Sequence, residues 1–250
     1  MVSPTPYPGL FITLEGPDGS GKSTQAVRLA HALEAQGVRV TLTREPGGTP
    51  VGERIRSVVL TYRDASHAPA TDALLFSAAR AQLVAEVIRP ALAGGAVVVC
   101  DRYADSTLAY QGYGGGLDVD ALRELQRLAT GDLQPDLTLL LDVPVDAGLA
   151  RRAHGPDAEV TRFEAGVAFD RAFHERVRAG YLELAARDPA RWKVVDADRD
   201  ADAVAASLLS LAAGAIAAWR ADPVARRGDG GSIAPAARDE PSSPPARINR

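Results

Sequence analysis

The chain has 250 residues, 46% of them apolar, a net charge of −4 from 28 basic and 32 acidic side chains, and a single cysteine. Such a composition excludes a disulfide-stapled miniprotein and a disordered polymer, and gives no electrostatic reason to expect nucleic acid or an anionic membrane as partner. Four scattered histidines make no zinc signature, no apolar run approaches the ~20 residues of a membrane span, and Met1 to Gly9 lack a cationic stretch followed by an apolar one, so the expected location is the cytoplasm.

Residues 1–9 form a short N-terminal extension. Apolar runs rich in β-branched residues at Leu10 to Glu15, Val38 to Arg44, Ala96 to Asp101, Asp136 to Asp142 and Trp192 to Asp196 predict strands. The middle runs are nearly continuous, as in strands buried on both faces. Helical periods lie between them: Ala26, Leu29, Ala30 and Leu33; then Phe169, Phe173, Val177, Tyr181 and Leu184; then Val204, Leu208, Leu211, Ala215 and Trp219. Alternating strands and helices predict one α/β domain over 10–221, a doubly wound parallel five-stranded sheet. Residues 222–250 hold five prolines, three glycines and five arginines and too little apolar surface to fold alone, which predicts a disordered tail.

Directly after the first strand comes Gly16-Pro17-Asp18-Gly19-Ser20-Gly21-Lys22-Ser23-Thr24, a match to G-x-x-x-x-G-K-[ST] that opens the first helical period. Glycines let backbone N–H groups converge on phosphate oxygens, and the helix N-terminus adds partial positive charge. Lys22 is placed to neutralise the β- and γ-phosphates and Ser23 to ligate magnesium. The chain has only two lysines, Lys22 and Lys193, against 26 arginines, so a compact ammonium was kept at the one position that asks for it. A bound nucleoside triphosphate follows.

The only asparagine is Asn249, so the Asn-Lys-x-Asp element with which guanine-nucleotide switches read their base is missing. About 220 foldable residues are few for a motor or assembly ATPase. A small kinase acting on a metabolite remains, and it needs an acceptor cavity, cations for the acceptor's phosphate and a lid against water. Asp101-Arg102-Tyr103 ends a buried strand beside the phosphate loop, where Asp101 is placed either to hold magnesium, directly or through water, or to form a strand-end ion pair. Arg102 is in reach of a phosphate from the same turn. Arg44-Glu45-Pro46-Gly47-Gly48-Thr49 ends the second strand at the same edge, as a binding loop or an ordinary turn. Phe76 and Arg80, four apart on one helical face, suit a stacked ring with a phosphate-binding guanidinium, or equally a core phenylalanine with a solvated arginine.

Taken together these segments resemble the thymidylate kinase family. The phosphate loop, Arg44 to Thr49, Leu75-Phe76-Ser77-Ala78-Ala79-Arg80, and Asp101-Arg102-Tyr103 with Ser106-Thr107-Leu108-Ala109-Tyr110-Gln111-Gly112 are similar to its motifs in order and rough spacing. Leu140-Leu141-Asp142-Val143-Pro144 and Tyr181-Leu182-Glu183-Leu184-Ala185 extend the likeness to about residue 220. The resemblance implies the phosphate-loop nucleoside monophosphate kinase fold, ATP with Mg2+ as phosphoryl donor, dTMP as acceptor and a homodimer. Carried over by motif, Phe76 stacks on thymine, Arg80, Thr107 and Gln111 surround the base edge, Tyr110 packs near the deoxyribose, and Asp18 faces the 3′-hydroxyl. Arg102, with Arg44 as a weaker candidate, holds the acceptor phosphate.

The resemblance also implies a transition-state arginine in a lid over about 151–162, since Pro17, Asp18, Gly19 and Ser20 offer none within the phosphate loop. The candidates are Arg151, Arg152 and Arg162. Here the chain departs from the family pattern, with Arg151-Arg152-Ala153-His154 in place of an Arg-Ala-Arg alternation and Thr161 where an aspartate is usual. Other readings are a kinase for another nucleoside monophosphate or deoxynucleoside, and a silent nucleotide-binding module.

Overall fold

A computed structural model describes residues 7–61, 67–153 and 171–221. The lid beyond Ala153 with Arg162, Phe169, the tail 222–250 and most of the N-terminal extension therefore lie outside the described residues. In chain order the elements are β1 (Leu10–Glu15), α1 (Lys22–Ala35), β2 (Val40–Arg44), α2 (Pro50–Thr61), α3 (Pro69–Leu83), α4 (Arg89–Ala93), β3 (Val97–Asp101), α5 (Ala104–Thr107), α6 (Val119–Thr130), β4 (Leu137–Asp142), α7 (Val145–Ala153), α8 (Arg171–Arg187), β5 (Trp192–Asp196) and α9 (Ala201–Ala221).

Two π-helical turns interrupt this scheme. One, Val84–Ile88, joins α3 to α4 just before Pro90, which has no N–H to give to a regular helical ladder. The other, Leu108–Gly114, prolongs α5 and carries Tyr110 and Gln111, and it closes with Gly115 N donating to Tyr110 O at 2.8 Å, five residues back.

All strand pairs are parallel, in the order β2-β3-β1-β4-β5, with helices on both faces. The doubly wound sheet expected from the sequence is present, and its topological switch point lies at the carboxyl ends of β1, β3 and β4. Register sets the rim there: Leu14 and Arg44 flank Asp101, and Glu15 lies beside Leu140.

Strand alternation sends Leu10, Ile12 and Leu14 of β1 to one face, where they pack with Leu29 and Leu33 of α1 and Leu208, Ala212 and Ile216 of α9. The opposite face takes Phe11, Thr13 and Glu15. Phe11 packs there with Leu83, Ile88 and Tyr103, while Thr13 and Thr138 share a hydrogen bond of 3.0 Å. A fully buried Leu or Phe contributes about 1.5–3 kcal/mol, so these two layers fix the sheet and hence the rim.

One sequence inference needs correction. α9 spans 21 residues, and an 18-residue window within it has a mean hydropathy of 1.7, enough by length and composition to cross a membrane. Its small alanines dilute the pattern by eye, yet Val204, Leu208, Ala212 and Ile216 form a stripe packed on the sheet and α1.

Candidate active site

The phosphate loop is shaped by backbone that only glycine adopts easily: φ is +147° at Gly16, +73° at Gly19 and +85° at Gly21. A Cβ at Gly19 would lie 1.9 Å from Gly148 O, while one at Gly21 would meet nothing, so the first glycine is demanded by contact and the second by conformation alone. Gly21 caps α1 without a side chain, which leaves the first N–H groups of the helix to an anion.

Lys22 lies back along this loop, its Nζ donating to Pro17 O at 2.7 Å and Ser20 Oγ at 3.2 Å. Burial and the nearby Arg102 charge push its pKa down to about 7, against the opposing pull of Asp18, Asp101 and Glu15. Ser23 Oγ donates to Asp101 Oδ2 at 2.5 Å, while Asp101 Oδ1 is buried with no hydrogen-bond partner among the described residues. A hydroxyl and a carboxylate meeting at the mouth of the loop, one oxygen still uncommitted, fit a hard cation such as Mg2+.

Beside them Arg102 occupies the left-handed region at φ 68°, a conformation that costs a non-glycine residue ~1–3 kcal/mol and persists where surroundings enforce it. Its Nη2 donates to Asp18 Oδ1 at 2.7 Å and to Tyr110 OH at 3.1 Å, and its guanidinium carbon stands 4.9 Å from the centre of the Tyr110 ring. Arg152 Nη1 approaches the other oxygen of Asp18 at 2.7 Å, and Tyr110 OH donates to Oδ1 at 2.8 Å. Burial alone would raise the Asp18 carboxyl, but Arg102, Arg152 and Lys22 hold it well below the usual carboxylate range. Lys22, Arg102, Arg152, Asp18, Tyr110, Ser23 and Asp101 thus form one continuous cluster.

Other candidates lie elsewhere. Arg151 donates to Ala197 O and Asp198 Oδ1, both at 2.7 Å, so consecutive residues on α7 point to different sides and only Arg152 faces the phosphate loop. Arg44 stands on the rim but turns to Glu53 at 3.3 Å, on the exposed side. Arg80 is buried: its side chain is 2% exposed, and every guanidinium nitrogen meets a protein acceptor. Nε and Nη2 serve Glu45, Nη1 serves Thr107 Oγ1 and Gln126, and Nη2 also reaches Tyr103 O at 2.9 Å. This guanidinium is a buried strut joining α3, α5 and α6, and it is spent before a substrate phosphate could claim it. Thr107 is committed to Arg80, whereas Phe76 is half-buried and Gln111 buried.

The sequence reading missed Glu15, Glu45, Ser106, Gln126 and Tyr181 as parts of this site. Glu15 is wholly buried and accepts from Tyr103 N at 2.7 Å, Ser106 Oγ at 2.6 Å and Tyr181 OH at 2.9 Å. Burial and the Asp105 charge push it up to about 7, against Ser106, Arg102 and the Tyr103 N–H. A signal was available: a glutamate closing an otherwise apolar strand is either exposed or paired, and the phosphate loop that follows immediately leaves it no room at the surface.

A family model described as thymidylate kinase matches residues 14–208. A thymidylate kinase of Thermomicrobium roseum is 56% identical over 195 residues, covering 78% of this chain and 90% of that protein. One of Roseiflexus castenholzii is 50% identical over 213 residues, covering 81% and 92%. Among solved structures, the crystal structure of thymidylate kinase from Ehrlichia chaffeensis matches with a TM-score of 0.65 and 33% identity, covering 82% of this chain and 98% of that one.

Proposed function

Because the chain belongs to the thymidylate kinase family, we infer that it transfers the γ-phosphoryl group of ATP to dTMP, giving dTDP and ADP. The observation that carries this reading is the convergence of Lys22, Arg102 and Arg152 on one side of a glycine loop, with Asp18 between the two guanidiniums.

Phosphoryl transfer asks the protein for alignment and charge neutralisation more than for a nucleophile. The loop amides and the α1 N-terminus hold the β- and γ-phosphates, and Lys22 follows the charge onto the transferring group. Ser23 and Asp101 would hold Mg2+, which when bound would supply charge neutralisation for the phosphate oxygens. Arg102 takes the acceptor phosphate, and Arg152 supplies the transition-state cation from the start of the lid. Asp18, left with the Tyr110 hydroxyl when the guanidiniums turn to phosphates, accepts from the 3′-hydroxyl while the Tyr110 ring lies along the deoxyribose. Phe76 and Gln111 contact the base, with Arg80 fixing Thr107 behind them.

Three further points belong to this reading. The lid continues through Arg162, and 222–250 is a tail outside the catalytic domain. The enzyme works as a cytoplasmic homodimer: Val51 and Val58, seven apart on α2, and Leu74 on the adjacent α3 leave apolar side chains 45–58% exposed, as a subunit contact requires. No nucleic acid or membrane partner is assigned.

The test is an acceptor screen at constant MgATP. dTMP must support ADP release much faster than dCMP, AMP or thymidine. A comparable kcat/KM with any of those three overturns the acceptor, and no acceptor-dependent ADP at all overturns the enzyme. Sedimentation at micromolar concentration, for wild type and Leu74→Asp, tests the dimer.

A further inference from the structure

Glu15 lies one layer behind the residues assigned to substrate, and three of its hydrogen-bond partners lead on to Arg102. Arg102 N donates to Leu14 O at 3.0 Å, and the next amide, Tyr103 N, donates to Glu15 Oε1 at 2.7 Å, so two successive N–H groups pin the turn in which Arg102 holds φ 68°. On the other carboxylate oxygen, Oε2 accepts from Ser106 Oγ at 2.6 Å and from Tyr181 OH at 2.9 Å. Each of those hydroxyl oxygens also lies 3.3 Å from Arg102 Nη1.

Proton counting gives these contacts a direction. A carboxylate only accepts, and a hydroxyl has one proton to donate. With Glu15 ionised, Ser106 and Tyr181 each have it as an acceptor and present lone pairs to Arg102 Nη1, while their own oxygens lie 2.9 Å apart, where either can be the donor. Resting on the phosphoryl-transfer reading above, we propose that Glu15 is a positioning residue that fixes Arg102 for the acceptor phosphate, by its backbone through Tyr103 N–H and by its guanidinium through Ser106 and Tyr181. Arg191, paired with Asp105 at 2.6 Å one residue before Ser106, anchors the short helix from which Ser106 reaches both partners.

Glu15→Gln isolates this role. Its carbonyl keeps the Tyr103 N–H, so its amide nitrogen must face the two hydroxyls and ask them to accept, in competition with Arg102. Binding of dTMP and of thymidine, which lacks the phosphate, is measured calorimetrically beside kcat and KM for Glu15→Gln, Ser106→Ala and Tyr181→Phe. The expected result for Glu15→Gln is a ~10–100-fold loss in kcat and a clear loss of dTMP affinity, with thymidine affinity within about twofold of wild type. On an Arg102→Ala background the same change should add no more than about twofold.

Equal losses for dTMP and thymidine, unchanged handling of dTMP, or full additivity with Arg102→Ala would each overturn the proposal. Should Glu15→Gln fail to fold, the single-hydroxyl deletions carry the same comparison with the same outcomes. A wild-type enzyme inactive on dTMP sinks the assigned reaction instead. The comparison of phosphorylated with unphosphorylated nucleoside is then repeated on its best acceptor and still decides the role of Glu15.

Discussion

Arg152 Nη1 lies 2.7 Å from Asp18 Oδ2, while Arg102 holds the other oxygen of the same carboxylate at 2.7 Å. One phosphate-loop side chain thus gathers a cation from the end of β3 and another from the end of α7. Arg151, committed to Asp198, is outside that arrangement. Arg152→Ala should lower kcat by ~10²-fold or more with little change in KM, because a cation aimed at developing charge acts mainly in the transition state. Arg151→Ala should leave kcat within a few-fold and cost at most about 1 kcal/mol of stability, as for an exposed ion pair. Saturating turnover assays on both variants decide, and a larger kcat loss at Arg151 than at Arg152 reverses the assignment.

Lys22 is kept in the fold at a cost. Its pKa falls from 10.5 to about 7, so between those values the unfolded chain binds more protons than the folded one. Its contribution to stability is therefore present above pH 10.5 and is lost as pH falls toward 7. Lys22→Met should abolish turnover by at least ~10²-fold and raise unfolding stability by a few kcal/mol near pH 7, the gain shrinking toward pH 10. Urea titrations at pH 7 and 10 check this, and a destabilised variant at pH 7 contradicts it.

Glu15 has the opposite sign. Raised from 4.5 to about 7, it makes the folded chain bind more protons across that window, so its contribution is full below pH 4.5 and is lost as pH rises through 7. Glu15→Gln should flatten the pH dependence of stability between pH 5 and 7.5, by up to about 3 kcal/mol relative to wild type. Denaturation curves at those two pH values measure the difference, and parallel profiles rule it out.

The Arg80 strut makes a prediction about folding alone. Glu45→Ala would leave a guanidinium charged and unpaired in a site from which water is shut out, which costs roughly 3–5 kcal/mol. Glu45→Gln, with an acceptor still facing Arg80, should lose less. Chemical denaturation of both variants orders them, and a loss below about 1 kcal/mol for Glu45→Ala would show that the pair holds little.

Five strands were legible because their runs are apolar and bounded: β1 and β5 begin and end where the sequence placed them, and the other three differ by one or two residues at the start. The phosphate loop was legible because its glycines are spaced for one backbone shape. Side-chain partnership was not. Phe76 and Arg80 share a helical face in any helix, but that Arg80 turns inward to Glu45 depends on how β2 and α3 meet, a relation 35 residues apart in the chain. Arg151 and Arg152 had to diverge by about 100° on a helix, yet which one faces Asp18 depends on the seating of α7. Glu15 sat in plain view as the last letter of a strand, and only the proximity of Tyr181, 166 residues away, shows what it does.

The seating of α7 leaves a genetic signature. Gly19 and Gly148 meet backbone to backbone, and a Cβ on either would strike the other segment, at 1.9 Å from Gly148 O or 2.5 Å from Asp18 O. Every missense change at Gly19 adds at least a methyl group there, and no residue at position 148 is smaller than the one already present. A Gly19 lesion consequently has no compensating side-chain replacement across the contact. Only displacement of α7 as a body could relieve it, and that displacement would carry Arg152 off Asp18, so suppressor screens should return revertants at codon 19 itself.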